Sequence, residues 1–164
     1  MNIYLAGPLF TMAEREWNLR FAEALAANID QSHEPNVFLP QIDCGDCFQQ
    51  DDPGAAVFRR CCEMIRNCQA VVAILDGADA DAGTAYEIAY TKNATIAIVI
   101  GVRTDTRPGQ EKGVNYMLSQ GCDEVVVASA DDDTVSLARK VVSAIQERFC
   151  RGMLSGRPVS GGTE

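Results

Sequence analysis

The stretch AVVAILDGADADAGTAYEIAY, residues 70–90, decides how the chain folds. Its first six residues, 70–75, are apolar without alternation, the pattern of a strand covered on both faces in a parallel sheet. An acidic, glycine-bearing loop follows, with Asp76, Asp79 and Asp81, and then a helical segment from about residue 84. A buried strand, a loop and a helix in that order make half of a βαβ unit.

The same alternation extends in both directions. IYLA (3–6) reads as a buried strand, and AEREWNLRFAEALAAN (13–28) spaces Trp17, Phe21 and Leu25 by four, one face of a helix. NVFLP (36–40) is a second strand ended by proline, and residues 41–54 read as a long polar loop. In 55–68 the residues Val57, Cys61, Met64, Ile65 and Cys68 form one helical stripe, which places both cysteines in the core. TIAIVI (95–100) is another central strand, GVNYMLSQG holds a short helical piece, and EVVVA (124–128) is a fifth strand. Residues 131–149 bring Val135, Ala138, Val141, Val142, Ile145 and Phe149 to one helical face.

Five strands alternating with helices predict an α/β three-layer sandwich, with a five-stranded parallel sheet and helices on both faces. The expected order is 2-1-3-4-5, flavodoxin-like, within the wider Rossmann-like class. One domain is expected over 1–150, with a flexible tail over 151–164 rich in glycine and serine. In that topology the ligand crevice lies beyond the carboxyl ends of strands 1 and 3. Two loops meet there: AGPLF (6–10), with Gly7, Pro8 and Phe10, and the acidic loop, with Asp76, Asp81 and Gly83.

Composition limits the partners. A formal charge of −9 argues against a nucleic-acid polymer, whose phosphates require basic patches. No apolar run is long enough to span a membrane, and Met1 leads directly into a strand without a leader pattern. Seven cysteines without such a leader point to a reducing cytoplasm. Cys44 and Cys47 have the spacing of a zinc knuckle, but no second Cys/His pair completes one, so no metal is expected. His33 is the sole histidine and lies in a polar segment, which disfavours Ser–His or Cys–His nucleophilic catalysis. Walker, G-x-G-x-x-G and G-x-S-x-G patterns are absent, leaving carboxylate chemistry.

Glu87 admits two readings. With Thr84 it forms the T-x-x-E pattern of a capping box, Thr84 as N-cap and Glu87 reaching back to the backbone. Alternatively, a carboxylate in a first helical turn at a crevice is held ionised by the helix dipole and can attack an anomeric carbon. Asp81 is either a turn residue or a ligand for sugar hydroxyls, while Asp76 and Asp79 read as turn residues. Tyr4 is a phenol in an apolar strand and needs a buried acceptor, for which an acid at the crevice is available. Phe10 is either an anchor for its loop or a platform for a flat ring.

Taken together, IYLAGPLFT (3–11), DADAGTAYEIAY (79–90) and VNYM (114–117) resemble the signatures of the nucleoside 2-deoxyribosyltransferase family. The resemblance covers about residues 1–130. It implies transfer of 2-deoxyribose between nucleobases, with Glu87 as nucleophile on C1′, Tyr4 holding Glu87, and Asp81 on the sugar hydroxyls. It also implies that Phe10 and Met117 wall the base, that Gln41 contacts it, and that Asn115 reaches the sugar from a neighbouring subunit. The partners are then deoxyribonucleosides, free bases and further copies of the chain, with no cofactor. One departure stands out: where the family often carries an aspartate near the departing base, this chain has Cys61, and Asp43 or Asp46 are the nearby substitutes. An N-glycoside hydrolase and a non-catalytic nucleoside-binding domain are the alternative readings.

Overall fold

The computed structural model describes residues 1–29, 36–107 and 114–154. The five strands are β1 (Asn2–Ala6), β2 (Asn36–Phe38), β3 (Ala70–Ile74), β4 (Ile98–Arg103) and β5 (Glu124–Val127). All pair in parallel, in the order β2-β1-β3-β4-β5. The helices are α1 (Met12–Asn28), α2 (Pro40–Asp43), α3 (Pro53–Asn67), α4 (Ala82–Ala94), α5 (Tyr116–Gly121) and α6 (Thr134–Leu154), with a 3-10 turn over Gly45–Gln49.

Side chains alternate across the sheet, as a pleated strand requires. Ile3, Leu5, Val72, Ile74, Ile100 and Val102 face α1 and α6, where Phe21, Leu25, Val141 and Ile145 complete the core. Tyr4, Ala6, Val71, Ala73 and Val99 face the opposite layer and pack with Ile65 of α3 and Ile88 of α4. Burying each of these large aliphatic side chains contributes about 1.5–3 kcal/mol. β3 is buried at every position, as its unbroken apolar run predicts.

Several boundaries differ from the sequence-based expectation. Residues 41–54 are not a bare loop: Cys44 and Cys47, 2% and 3% exposed, pin α2 and the 3-10 turn against Phe38 and Ala56. Two small thiols buried among polar neighbours leave no apolar run to read. β4 begins at Ile98 rather than Thr95, because Thr95 closes α4 by donating its backbone N–H to the Thr91 carbonyl (3.0 Å). It then runs through Gly101, where a Cβ would lie 2.7 Å from Leu75 Cδ1 and 3.0 Å from Cys122 Sγ. Glycine serves close packing there and does not end the strand. Finally, α6 continues to Leu154, past the expected boundary at 150, while the rest of the expected tail and His33 lie outside the described residues.

Candidate active site

The crevice forms where β1 and β3 end, since α1 leaves β1 toward one face of the sheet and α4 leaves β3 toward the other. The β1 loop is held close to the sheet by Gly7, where a Cβ would stand 2.9 Å from Ile74 Cγ1. Asn18, buried on α1, donates from Nδ2 to the Pro8 carbonyl (2.9 Å) and to Gln41 Oε1 (3.2 Å). Gln41 in turn donates from Nε2 to the Arg15 carbonyl (2.9 Å), so its amide joins α2 to α1. Phe10 is 70% exposed, so most of its ring faces solvent.

The acidic loop divides its carboxylates by task. Asp76 accepts from the backbone N–H of Thr104 (2.6 Å) and of Asp105 (2.9 Å), and from the Thr104 hydroxyl, which ties the loops after β3 and β4 together. Arg103, 4% exposed, donates to the Leu75 carbonyl (2.8 Å) and the Gly77 carbonyl (3.2 Å). Gly77 lies at φ 101°, a conformation open to glycine. Asp81 caps α4: its Oδ2 accepts from Thr84 N–H (3.0 Å) and faces Thr84 Oγ1 (3.3 Å). A Cβ at Gly83 would crowd that oxygen at 3.0 Å.

The cap at Asp81 corrects the expected capping box. Thr84 is not the N-cap, and Glu87 lies in the second turn, directed at the sheet. Tyr4 Oη donates to Glu87 Oε1 at 2.5 Å. Tyr4 is fully buried, its ring stacked on Phe38 with centroids 5.4 Å apart, so the phenol holds the carboxylate in a fixed place. Burial pushes Glu87 up to about 7, with the Asp81 charge adding to the rise and the Tyr4 hydrogen bond opposing it. The helix dipole therefore does not keep Glu87 strongly ionised, as a first-turn position would. Burial, and next the Glu87 charge, raise Tyr4 far above the ordinary phenol range, so it stays a proton donor.

Cys61 packs against the core only at its edge, half-buried beside the Tyr4 hydroxyl, while its neighbour Cys62 is 6% exposed. One of the nearby acids is already engaged, for Asp43 Oδ2 accepts from Leu39 N–H (2.6 Å), and the other, Asp46, is exposed. Asn115 and Met117 lie at the start of α5: Asn115 caps the helix by accepting from Met117 N–H (2.8 Å), and Met117 is 82% exposed. Among the described residues, no three His, Cys, Asp or Glu side chains are placed to hold a metal ion. None of the described helices is long and apolar enough to cross a membrane.

Asn18, Arg103 and the Cys61–Tyr4 contact were not found by sequence reasoning. Asn18 carried a readable signal, being a polar residue one position from Trp17 on a face that continues through Phe21, Ala22 and Leu25. The others depend on which loops meet in space.

No curated protein matches the sequence significantly. Among solved structures, a conserved protein from Enterococcus faecalis V583 superposes with a TM-score of 0.68 at 22% identity, over 90% of this chain and 98% of its own. A 2-deoxyribosyltransferase from Bacillus psychrosaccharolyticus superposes with a TM-score of 0.66 at 20% identity, over 88% of this chain and 96% of its own. At these identities the likeness establishes the α/β fold. The family model described as nucleoside 2-deoxyribosyltransferase matches residues 3–120, and so takes in Tyr4, Asp81, Glu87, Asn115 and Met117. The chain belongs to the nucleoside 2-deoxyribosyltransferase family.

Proposed function

We propose that this protein transfers 2-deoxyribose between nucleobases through a covalent intermediate on Glu87. The observation that carries the reading is the 2.5 Å hydrogen bond from Tyr4, on the strand that ends at the switch point, to the half-buried carboxylate of Glu87 on α4. A carboxylate poised near neutrality is partly ionised at working pH, and desolvation keeps it reactive. Its free oxygen attacks C1′, the C–N bond breaks, the departing base takes the electron pair and a proton from the medium, and a deoxyribosyl ester forms. A second base then attacks C1′ from the opposite side, gives up its own proton to the medium, and frees Glu87. No metal or cofactor enters these steps.

Asp81 presents a carboxylate beside Glu87 for the sugar hydroxyls, and exposed Phe10 gives a flat base a stacking surface. Gly7, Pro8 and Gly83 shape the two loops by their backbone, while Gln41 and Asp76 act from behind by bracing the elements that carry the site. Asn115 and Met117 point outward, as they would when serving the site of a neighbouring copy in a homo-oligomer. Nucleosides suit this crevice better than 5′-monophosphates. The first basic residue after the β1 loop, Arg15, donates to the carbonyls of Leu9 (3.3 Å) and Phe10 (2.8 Å) instead of standing open for a phosphate. The natural setting of such an activity is nucleoside salvage in the cytoplasm.

The test is incubation with a 2′-deoxyribonucleoside and a different free base, across all four nucleosides, with the exchanged nucleoside as readout. Glu87→Ala is expected to abolish exchange. Base release that is independent of any acceptor would make the protein a hydrolase. Binding without turnover would make it a nucleoside sensor. Gel filtration showing only an active monomer would remove Asn115 and Met117 from the site.

A further inference from the structure

The reaction above leaves unused a set of thiols that converge behind the nucleophile. Cys44 Sγ lies 3.9 Å from Cys61 Sγ, although the two residues are 17 positions apart. Cys61 also rests against the Tyr4 hydroxyl and within electrostatic reach of Glu87. The four groups therefore run as a continuous row: Cys44, Cys61, Tyr4, Glu87. The two thiols differ in access. Cys44 is 2% exposed, whereas Cys61 is half-buried and reachable from solvent.

Closing 3.9 Å to the S–S length of about 2.05 Å asks the sulfurs to approach by roughly 2 Å. Cys44 sits between a four-residue helix and a five-residue 3-10 turn, short elements with Gly45, Asp46, Phe48 and Gln49 exposed beside it. Each of these short elements makes fewer backbone hydrogen bonds than the fifteen-residue α3, which carries Cys61, so the Cys44 side is the one that moves.

We propose that Cys44 and Cys61 form a reversible dithiol–disulfide site that draws Cys61 off Tyr4 and so alters the Tyr4–Glu87 pair. The oxidant is a hydroperoxide. The Cys61 thiolate attacks the terminal peroxide oxygen, the O–O bond breaks, an alcohol or water leaves, and Cys61 becomes a sulfenic acid. The Cys44 sulfur then attacks the Cys61 sulfur, the S–S bond forms, and the hydroxide that leaves takes up the Cys44 proton as water. The two sulfurs together lose two electrons, and the peroxide gains them. A dithiol reductant reverses the change by exchange. Burial raises both thiols above their ordinary range, and the titratable groups facing Cys61 are Tyr4, Glu87, Cys44 and Cys62.

The test treats the full chain with hydrogen peroxide, alkylates it under denaturing, non-reducing conditions, and maps its peptides by mass. The expected result is a Cys44–Cys61 cross-link within one chain, removed by dithiothreitol. Base exchange should fall at least fivefold on oxidation and return on reduction. Cys44→Ser and Cys44→Ala should each lose the cross-link and the peroxide sensitivity together. The activity arm rests on the proposed transferase reading. The midpoint of the Glu87 carboxyl ¹³C titration, which should move on oxidation, gives a readout that survives if that reading fails. Any of several results would overturn the proposal: both thiols still alkylated, a cross-link from Cys44 to Cys47, or one between chains through exposed Cys150. So would an intact Cys44–Cys61 cross-link with neither exchange nor the Glu87 midpoint changed.

Discussion

The chain carries the same four-residue pattern at two helix starts, with opposite results. At α1, Thr11-Met12-Ala13-Glu14 closes a full capping box: Glu14 N–H donates to Thr11 Oγ1 (3.2 Å), and Glu14 Oε2 accepts from the N–H of Thr11 (2.7 Å) and of Phe10 (2.9 Å). Those donors, that of Thr11 first, hold Glu14 below its ordinary value. At α4, Thr84-Ala85-Tyr86-Glu87 forms no box. Asp81 takes the cap three residues earlier, which moves Glu87 into the second turn and turns it to the sheet, where burial and Tyr4 set its state. A T-x-x-E pattern thus states which hydrogen bonds are possible. Whether an earlier residue captures the helix start decides which are made.

The largest way to break this comparison is to neutralise each glutamate in turn. Glu87→Gln should lower base exchange by about 10³-fold or more, because it removes the attacking oxygen anion. Glu14→Gln should leave exchange within about twofold and cost about 0.5–1 kcal/mol in a thermal melt. Comparable losses from both would show that α1 and α4 are equivalent scaffolds and that Glu87 has no chemical part.

Next in size are the effects of Tyr4 and of pH. Tyr4→Phe removes the one hydrogen bond that lowers Glu87, so the carboxyl should move further above 7 and exchange at neutral pH should fall about tenfold. Raising the pH should recover much of that loss, since the variant needs only a more basic medium to ionise. In the wild type, exchange should rise with pH through about 7. Stability runs the other way. Between the unfolded value of 4.5 and about 7 the folded chain keeps a proton on Glu87 that the unfolded chain releases, so stability falls as pH rises through that window. The fall is up to about 3 kcal/mol, and Glu87→Gln should flatten it. Glu14 has the contrary sign: its contribution is present above the unfolded value and is lost as pH falls through its lowered native value. A rate already flat across that window, with no fall in stability, would mean that Glu87 is ionised in the folded state throughout.

The fold was open to reading because β3 and its neighbours are buried on both sides, and burial of that kind writes itself as unbroken apolar runs. Strand order then followed from right-handed crossovers, and with it the position of the crevice. What escaped were features in which a small or polar residue does a buried residue's work. Cys44 and Cys47 fold a segment that looks like a loop, and Gly101 continues a strand that was expected to end at residue 100. Asp81 displaces Thr84 as cap because one further residue before the helix can accept from Thr84 N–H, and spacing alone does not rank two acceptors. The stripe of α3 reads correctly, since Val57, Cys61, Met64 and Cys68 pack around Ile65, but periodicity does not show that Cys61 at its edge also meets Tyr4. The Tyr4–Glu87 pair was legible for a simpler reason, since a phenol in an apolar strand must find a partner and the crevice offered few.

The smallest effect separates the two tasks assigned to Asp81. As the N-cap of α4 it needs only an oxygen acceptor, and asparagine serves that purpose about as well as aspartate. Asp81→Asn should therefore hold the melting temperature near wild type, whereas Asp81→Ala should lose about 1 kcal/mol. The Asn variant also removes the charge that raises Glu87, so the exchange profile should shift slightly toward acid. A substrate role adds a term that the cap and the charge do not: a higher KM for deoxynucleosides in Asp81→Asn at unchanged stability. If KM stays put and only the pH midpoint moves, Asp81 acts on the site through the field it casts on Glu87 and never touches the sugar. α1 supplies the control, because Thr11→Ala removes a cap from a helix that carries no counterpart of Glu87. It should reproduce the stability loss of Asp81→Ala and none of its kinetics.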